Sequence, residues 1–184
     1  MLQEDMAPPM QHNDYAVSKW VSEIQCNNFR KQWNNKILVL RFFNSYGPGE
    51  YYTPYRSVVC QFIYRMLHDL PITVYQGYHR VFMYIGDFIP TLANAADHGC
   101  FEHVEGDTIN IGGEEYRSVV DLFNVVKSFI PDTKSEVVFL PEDEHNVVNK
   151  RPDISAAREK LLHNPTTLLE EGIRKTVEWM KSVY

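Results

Sequence analysis

The chain has 184 residues, a formal charge of −6 and a hydrophobic fraction of 44%, which suits one medium globular domain or part of a two-domain protein. With no block of Lys or Arg, nucleic acid and anionic membrane surfaces are excluded as natural partners. No apolar run approaches the roughly 18 residues that span a bilayer, and the acidic start Met1-Leu2-Gln3-Glu4-Asp5 is unlike a secretory signal.

Cys26, Cys60 and Cys100 are odd in number and scattered, which argues for a reducing compartment and against a disulfide framework or a zinc site. The expectation is a soluble, cytoplasmic α/β protein with no metal.

In chain order, residues 1–12 carry Pro8-Pro9 and read as an extended or loop segment. Asn13 or Asp14 can cap a helix running to about Trp33, with Val17, Val21, Ile24 and Phe29 at helical spacing and Asn34-Asn35 as its break. Ile37 to Leu40 is a short, continuously apolar run of the kind found in buried parallel strands. It leads through Arg41-Phe42-Phe43-Asn44 into the turn Tyr46-Gly47-Pro48-Gly49 and an aromatic loop.

A helix is expected over 57–68 and a strand over 72–75. A second strand fits 80–85, and Asp87 can cap the next helix, with Pro90 tolerated in its first turn. Thr108-Ile109-Asn110-Ile111 is a strand closed by Gly112-Gly113, and Ser118 with Asp121 opens a helix through a capping-box variant. A strand at 137–140 and two helices, 155–162 and 168–183, complete the chain.

Tyr15 and Lys19 are four apart and share one helix face. A cation beside a phenol favours the phenolate, which makes tyrosine a general base for an alcohol about to lose hydride. The spacing alone has low specificity, and an exposed surface pair is the plain alternative. The histidines show no metal-ligand spacing; Gly47-Pro48-Gly49 and Gly112-Gly113 are turns rather than a phosphate loop. The cluster Tyr46, Tyr51, Tyr52 and Tyr55 lacks the interleaved cations of a base-stacking platform.

Residues 9–23 around Tyr15-Ala16-Val17-Ser18-Lys19 resemble the active-site helix of extended short-chain dehydrogenases/reductases. Leu38 to Asn44 with Tyr46-Gly47-Pro48-Gly49 is similar to the next strand and substrate loop of that family. Leu70 to Tyr75 and Arg80 to Asp87 are similar to its later substrate segment. Asn110-Ile111-Gly112-Gly113 and Leu169-Glu170-Glu171-Gly172-Ile173 match its last strand and helix. Together these point to the NAD-dependent nucleotide-sugar epimerase/dehydratase branch.

The resemblance implies that Tyr15 removes the sugar hydroxyl proton as C4 hydride passes to NAD. Lys19 would favour the phenolate and bond the nicotinamide ribose, and Phe42 would lie near the nicotinamide or simply pack in the core. Asn44 would hydrogen-bond the sugar nucleotide, and Tyr75 would stack on its base. Arg80 would grip the diphosphate with its planar guanidinium. In Lys150-Arg151-Pro152-Asp153-Ile154-Ser155, similar to a second diphosphate segment, Lys150 or Arg151 would face the phosphates. Asp143 or Glu144 falls where an arginine is commoner, an arrangement closer to sugar-nucleotide decarboxylases.

No glycine-rich dinucleotide loop precedes Tyr15. The expectation is therefore a C-terminal portion only of such an enzyme. The expected fold is α/β, the C-terminal part of a doubly wound Rossmann-type fold plus a small α/β substrate-binding domain. Residues 1–48 would be the dinucleotide-domain remnant and 49–184 the substrate-binding region, with about 86–113 packing back on the Rossmann sheet. On this reading the isolated truncated chain is inactive with NAD binding in doubt, or else a non-catalytic sugar-nucleotide-binding or interaction module. A nucleotide-diphosphate sugar is the expected ligand. The expected association is a homodimer, or contact through a strand at 37–40 lacking its neighbours.

Overall fold

A computed structural model describes residues 1–5, 13–141 and 147–184. Pro8-Pro9, Asp143 and Glu144 lie outside them. Helix α1, Asp14–Trp33, starts where the Asn13 side chain accepts from the Ala16 amide at 2.9 Å and stops at Asn34 in the left-handed region. It has no buried residue. Two polar contacts tie it down: Glu23 receives two bonds from Arg41, at 2.8 and 2.7 Å, and Arg30 donates to the Gly106 carbonyl.

Strand β1, Val39–Phe42, pairs in parallel with β6, Thr108–Ile111. The run expected to lack sheet neighbours thus has one within the chain, and it begins two residues later than its apolar pattern suggests. β2, Ser45–Tyr46, pairs in parallel with β5, Met83–Tyr84. Between them lies helix α2, Val58–Leu67, capped by Ser57. β3, Ile72–Tyr75, is parallel to β8, Val137–Leu140. β4, His79–Val81, is the middle of a three-stranded sheet, antiparallel to β7, Tyr116–Ser118, and parallel to β9, Asn149–Lys150. The single strand expected over 80–85 is therefore two, broken at Phe82.

Helix α3, Ile85–Ala96, begins before Asp87, so Asp87 does not cap it; its carboxylate instead accepts from the Thr167 amide and hydroxyl, both at 2.9 Å. Pro90 accordingly sits in the second turn. Helix α4, His98–Val104, was not expected; Asp97 caps it. α5, Val119–Phe129, opens with the capping box formed by Ser118 and Asp121. α6, Ser155–Leu161, and α7, Leu169–Val183, follow.

Two apolar cores result. The larger joins α2, α5 and α7 to β3 through Ile63, Met66, Val74, Leu122, Ile173 and Met180, all at most 1% exposed. The smaller packs Phe88, Ala95, Val104, Ile109, Ile111, Ala157 and Leu161 beneath β1 and β6. The segment 85–111 thereby joins the same core as Leu38 and Leu40.

Candidate active site

On α1 the four-residue spacing brings the Lys19 ammonium to 5.5 Å from the centre of the Tyr15 ring. Tyr15 is 72% exposed, so its hydroxyl is open to a ligand. Glu23, one turn beyond Lys19, is occupied by Arg41. The phenol and ammonium therefore form a donor–acceptor pair suited to a ribose and a reacting alcohol. Phe42, half exposed at the carboxyl end of β1, meets Phe88 edge-on at 4.6 Å between centroids. Phe42 thus offers an accessible apolar ring at the strand end where α/β sheets bind ligands.

Beyond Phe42 the chain turns sharply. Phe43 donates from its amide to Ile111 O at 2.9 Å, and Asn44 adopts φ 48°. The Asn44 amide side chain donates to Val81 O at 3.0 Å, while the Asn44 backbone carbonyl accepts from the Met83 amide at 3.1 Å. Asn44 thus links β1 to β4 and β5 before any ligand is considered. A Cβ at Gly112 would lie 2.8 Å from Pro152 Cγ, and one at Gly113 would collide with the Phe82 carbonyl oxygen. Only glycine permits this approach of the strand end to its neighbours.

The β7–β4–β9 sheet carries the cations. Pairing sets Arg80 opposite Arg117 on one side and Lys150 on the other, so all three lie on one face. Arg80 is only 7% exposed; its guanidinium donates to His79 O at 2.9 Å and to Val147 O and Val148 O at 2.6 Å, and covers the Tyr78 ring at 4.9 Å. Burial lowers the pKa of Arg80, and burial together with the Arg80 charge lowers that of Lys150. Among the described residues, Arg117 alone of the three meets carboxylates, Glu115 at 2.7 Å and Glu170 at 3.3 Å.

Arg151 lies on the opposite face. There it joins His79, Tyr116 and Asn149 around an open cleft of about 470 Å³, with its guanidinium 5.6 Å from the Tyr116 ring. The structure therefore brings Arg80 together with Lys150 and separates both from Arg151. Tyr75 is 42% exposed on the outer face of β3, beside Leu140 of β8. The His79–Tyr116 cleft has no signature in the sequence, because its walls come from three short strands whose pairing is non-local. Among the described residues no group of three or more His, Cys, Asp or Glu is placed to hold a metal ion, and no helix is long and apolar enough to cross a membrane.

A sequence model of the NAD dependent epimerase/dehydratase family matches residues 2–112. The chain belongs to that family. It is 27% identical to the UDP-N-acetyl-alpha-D-glucosaminuronate decarboxylase of Bacillus cytotoxicus over 177 residues, covering 92% of this chain and 53% of that one. It is 29% identical to UDP-glucuronic acid decarboxylase 1 of Danio rerio, covering 90% and 38%. A similar solved structure is the UDP-glucuronic acid 4-epimerase from Bacillus cereus in complex with UDP-glucuronic acid and NAD, with a TM-score of 0.87 at 28% identity, covering 100% of this chain and 57% of that one. The chain thus spans about half the length of the curated Bacillus relative it matches.

These findings correct three expectations. The family match begins at residue 2 and runs through β6, and the structural likeness takes in the whole chain. Membership is therefore not confined to a C-terminal portion, and the fold is the family's Rossmann-type α/β fold rather than a remnant joined to a small domain. The expected reading as an inactive piece or a non-catalytic module gives way to membership of an enzyme family. Epimerase structures of this fold at 28% identity carry NAD, which supports NAD as the cofactor of the fold family.

Proposed function

We propose that the chain serves an NAD-dependent enzyme acting on a UDP-hexuronic acid. The observation that carries this is the pair of buried Arg80 and partly buried Lys150, in register on β4 and β9 with no carboxylate partner among the described residues. Two desolvated cations side by side favour a multiply charged anion, and a guanidinium suits a diphosphate. The uronic acid is suggested by the relatives, whose names include two UDP-uronate decarboxylases and a UDP-glucuronic acid 4-epimerase.

When bound, NAD supplies the acceptor for a hydride from sugar C4 and the donor for its return. Tyr15 takes the proton from the C4 hydroxyl oxygen and later gives it back, with the Lys19 ammonium beside its ring. Phe42 offers an apolar wall at the strand end, Asn44 holds the turn on which the sugar rests, and Tyr75 offers a ring face to the base. Arg80 and Lys150 hold the diphosphate, and Arg151 guards the mouth of the neighbouring cleft. A ketone at C4 lies β to the uronic carboxylate, so two outcomes are open: loss of CO2 with protonation at C5, or return of the hydride to the opposite face of C4.

The proposed division places the dinucleotide side in 1–48 and the substrate side in 49–184, with 86–113 packed back under β1. A homodimer through α1 is proposed as well, because that helix exposes Val17, Trp20, Val21, Ile24, Phe29 and Trp33. The test is incubation with NAD and UDP-glucuronic acid, with separation of the products and capture of CO2. A 4-epimer or a pentose product supports the proposal. It fails if UDP does not bind by calorimetry, or if Arg80→Met and Lys150→Met leave UDP affinity unchanged.

A further inference from the structure

His163 lies just beyond α6 and is 2% exposed. The preceding Leu162, at φ 54°, turns the chain so that the His163 amide donates to Ala157 O at 3.1 Å and the ring points inward. Its Nε2 is 2.8 Å from Gly112 O, and its Nδ1 is 2.7 Å from the Thr91 hydroxyl. A carbonyl oxygen can only accept, so Nε2 carries the proton and Nδ1 of the neutral ring accepts from Thr91.

The partner of that proton matters. Around Gly112 three segments converge: Phe43 from the end of β1, Val81 from β4 and Pro152 next to Arg151, at 3.4, 3.3 and 2.8 Å from where a Cβ would stand. We propose that His163, as the neutral imidazole, is a positioning residue for the candidate active site. By fixing the Gly112 carbonyl it sets the distance between the Phe42–Asn44 turn and the Arg151–Pro152 segment.

A second proton would remove the acceptor at Nδ1. The Thr91 hydroxyl would then have to turn to Asp87 O, 3.5 Å away. The charged groups facing the ring are Asp87 of α3, whose carboxylate is taken by Thr167, and Arg158 of α6, paired with Glu114. Burial, with Arg158 adding to it, holds the imidazole below its ordinary value against the opposing pull of Asp87 and the Gly112 bond. A group depressed in the folded state contributes stability that is complete above its unfolded value, and that contribution is lost as pH falls towards the folded one. The latch therefore weakens on acidification below about pH 6.5.

The test compares the wild-type chain with His163→Gln, which keeps an amide donor but does not titrate, and with His163→Phe, which fills the space without donor or acceptor. Backbone hydrogen exchange at 111–113, 151 and 153, corrected for intrinsic rates, is read at about pH 7.5 and 5.5. Protection in the wild type should fall by roughly tenfold between the two, stay constant in His163→Gln, and be low at both in His163→Phe. Should His163→Phe fail to fold, the first two proteins still decide. The same acid-dependent loss in His163→Gln as in wild type overturns the proposal. UDP affinity should fall with protection; this arm alone rests on the proposed function, so absence of UDP binding at every pH would sink that reading while leaving the exchange result to judge the latch.

Discussion

Helices α1 and α7 divide the labour of this molecule. α7 buries Leu169, Gly172, Ile173, Thr176, Val177 and Met180 against α2 and α5; α1 is longer and buries nothing. The difference lies in the sequence of each face. Apolar residues in α7 recur every three or four positions and are buried, whereas α1 keeps Val17, Trp20, Val21 and Ile24 on one exposed face and places Phe29 and Trp33 elsewhere on the helix. One helix is a structural beam, and the other is the proposed mount for chemistry.

Four experiments would break or sharpen this contrast. Tyr15→Phe should lower turnover by about 10²-fold or more while leaving the unfolding midpoint unchanged; a drop in stability would show α1 to be part of the beam. Ile173→Ala should cost about 2–5 kcal/mol in denaturant unfolding, the range for emptying a fully buried aliphatic site. Ser118→Ala, at the start of α5, should cost about 1 kcal/mol through loss of the cap. Asp121 belongs to that box, and the Ser118 bonds hold its carboxyl below the usual range. Its contribution is present above about pH 4 and is lost as pH falls through the folded value, so the penalty of Ser118→Ala should shrink in acid. Last, Ile24→Ala on α1 should change monomer stability by no more than about 0.5 kcal/mol. A larger effect that grows with protein concentration would mean that a second copy covers this face.

Elements with local signals were legible. Asn13 and Ser118 announce their helices by cap chemistry, and the β3, β6 and β8 strands stand out as short β-branched runs. The two- and three-residue strands β2, β7 and β9 were not, because strands so short exist only through partners distant in the chain. Helix α4 hid behind Gly99 and its seven-residue length. In the site, the Tyr15–Lys19 pairing followed from helical spacing alone. That Arg80 and Arg151 occupy opposite faces required the β4–β9 register, which no single segment encodes. His163 had no local pattern at all, since both its partners, Thr91 and Gly112, lie more than fifty positions away.

The fastening of α1 by Glu23 to Arg41 and by Arg30 to the Gly106 carbonyl has an evolutionary consequence. Two polar anchors leave the outward residues of the helix largely unfiltered by folding. Substitutions at Trp20, Phe29 or Trp33 are then screened by what the surface meets rather than by whether the chain folds. A lineage can rework that surface step by step while the Tyr15–Lys19 pair stays in place.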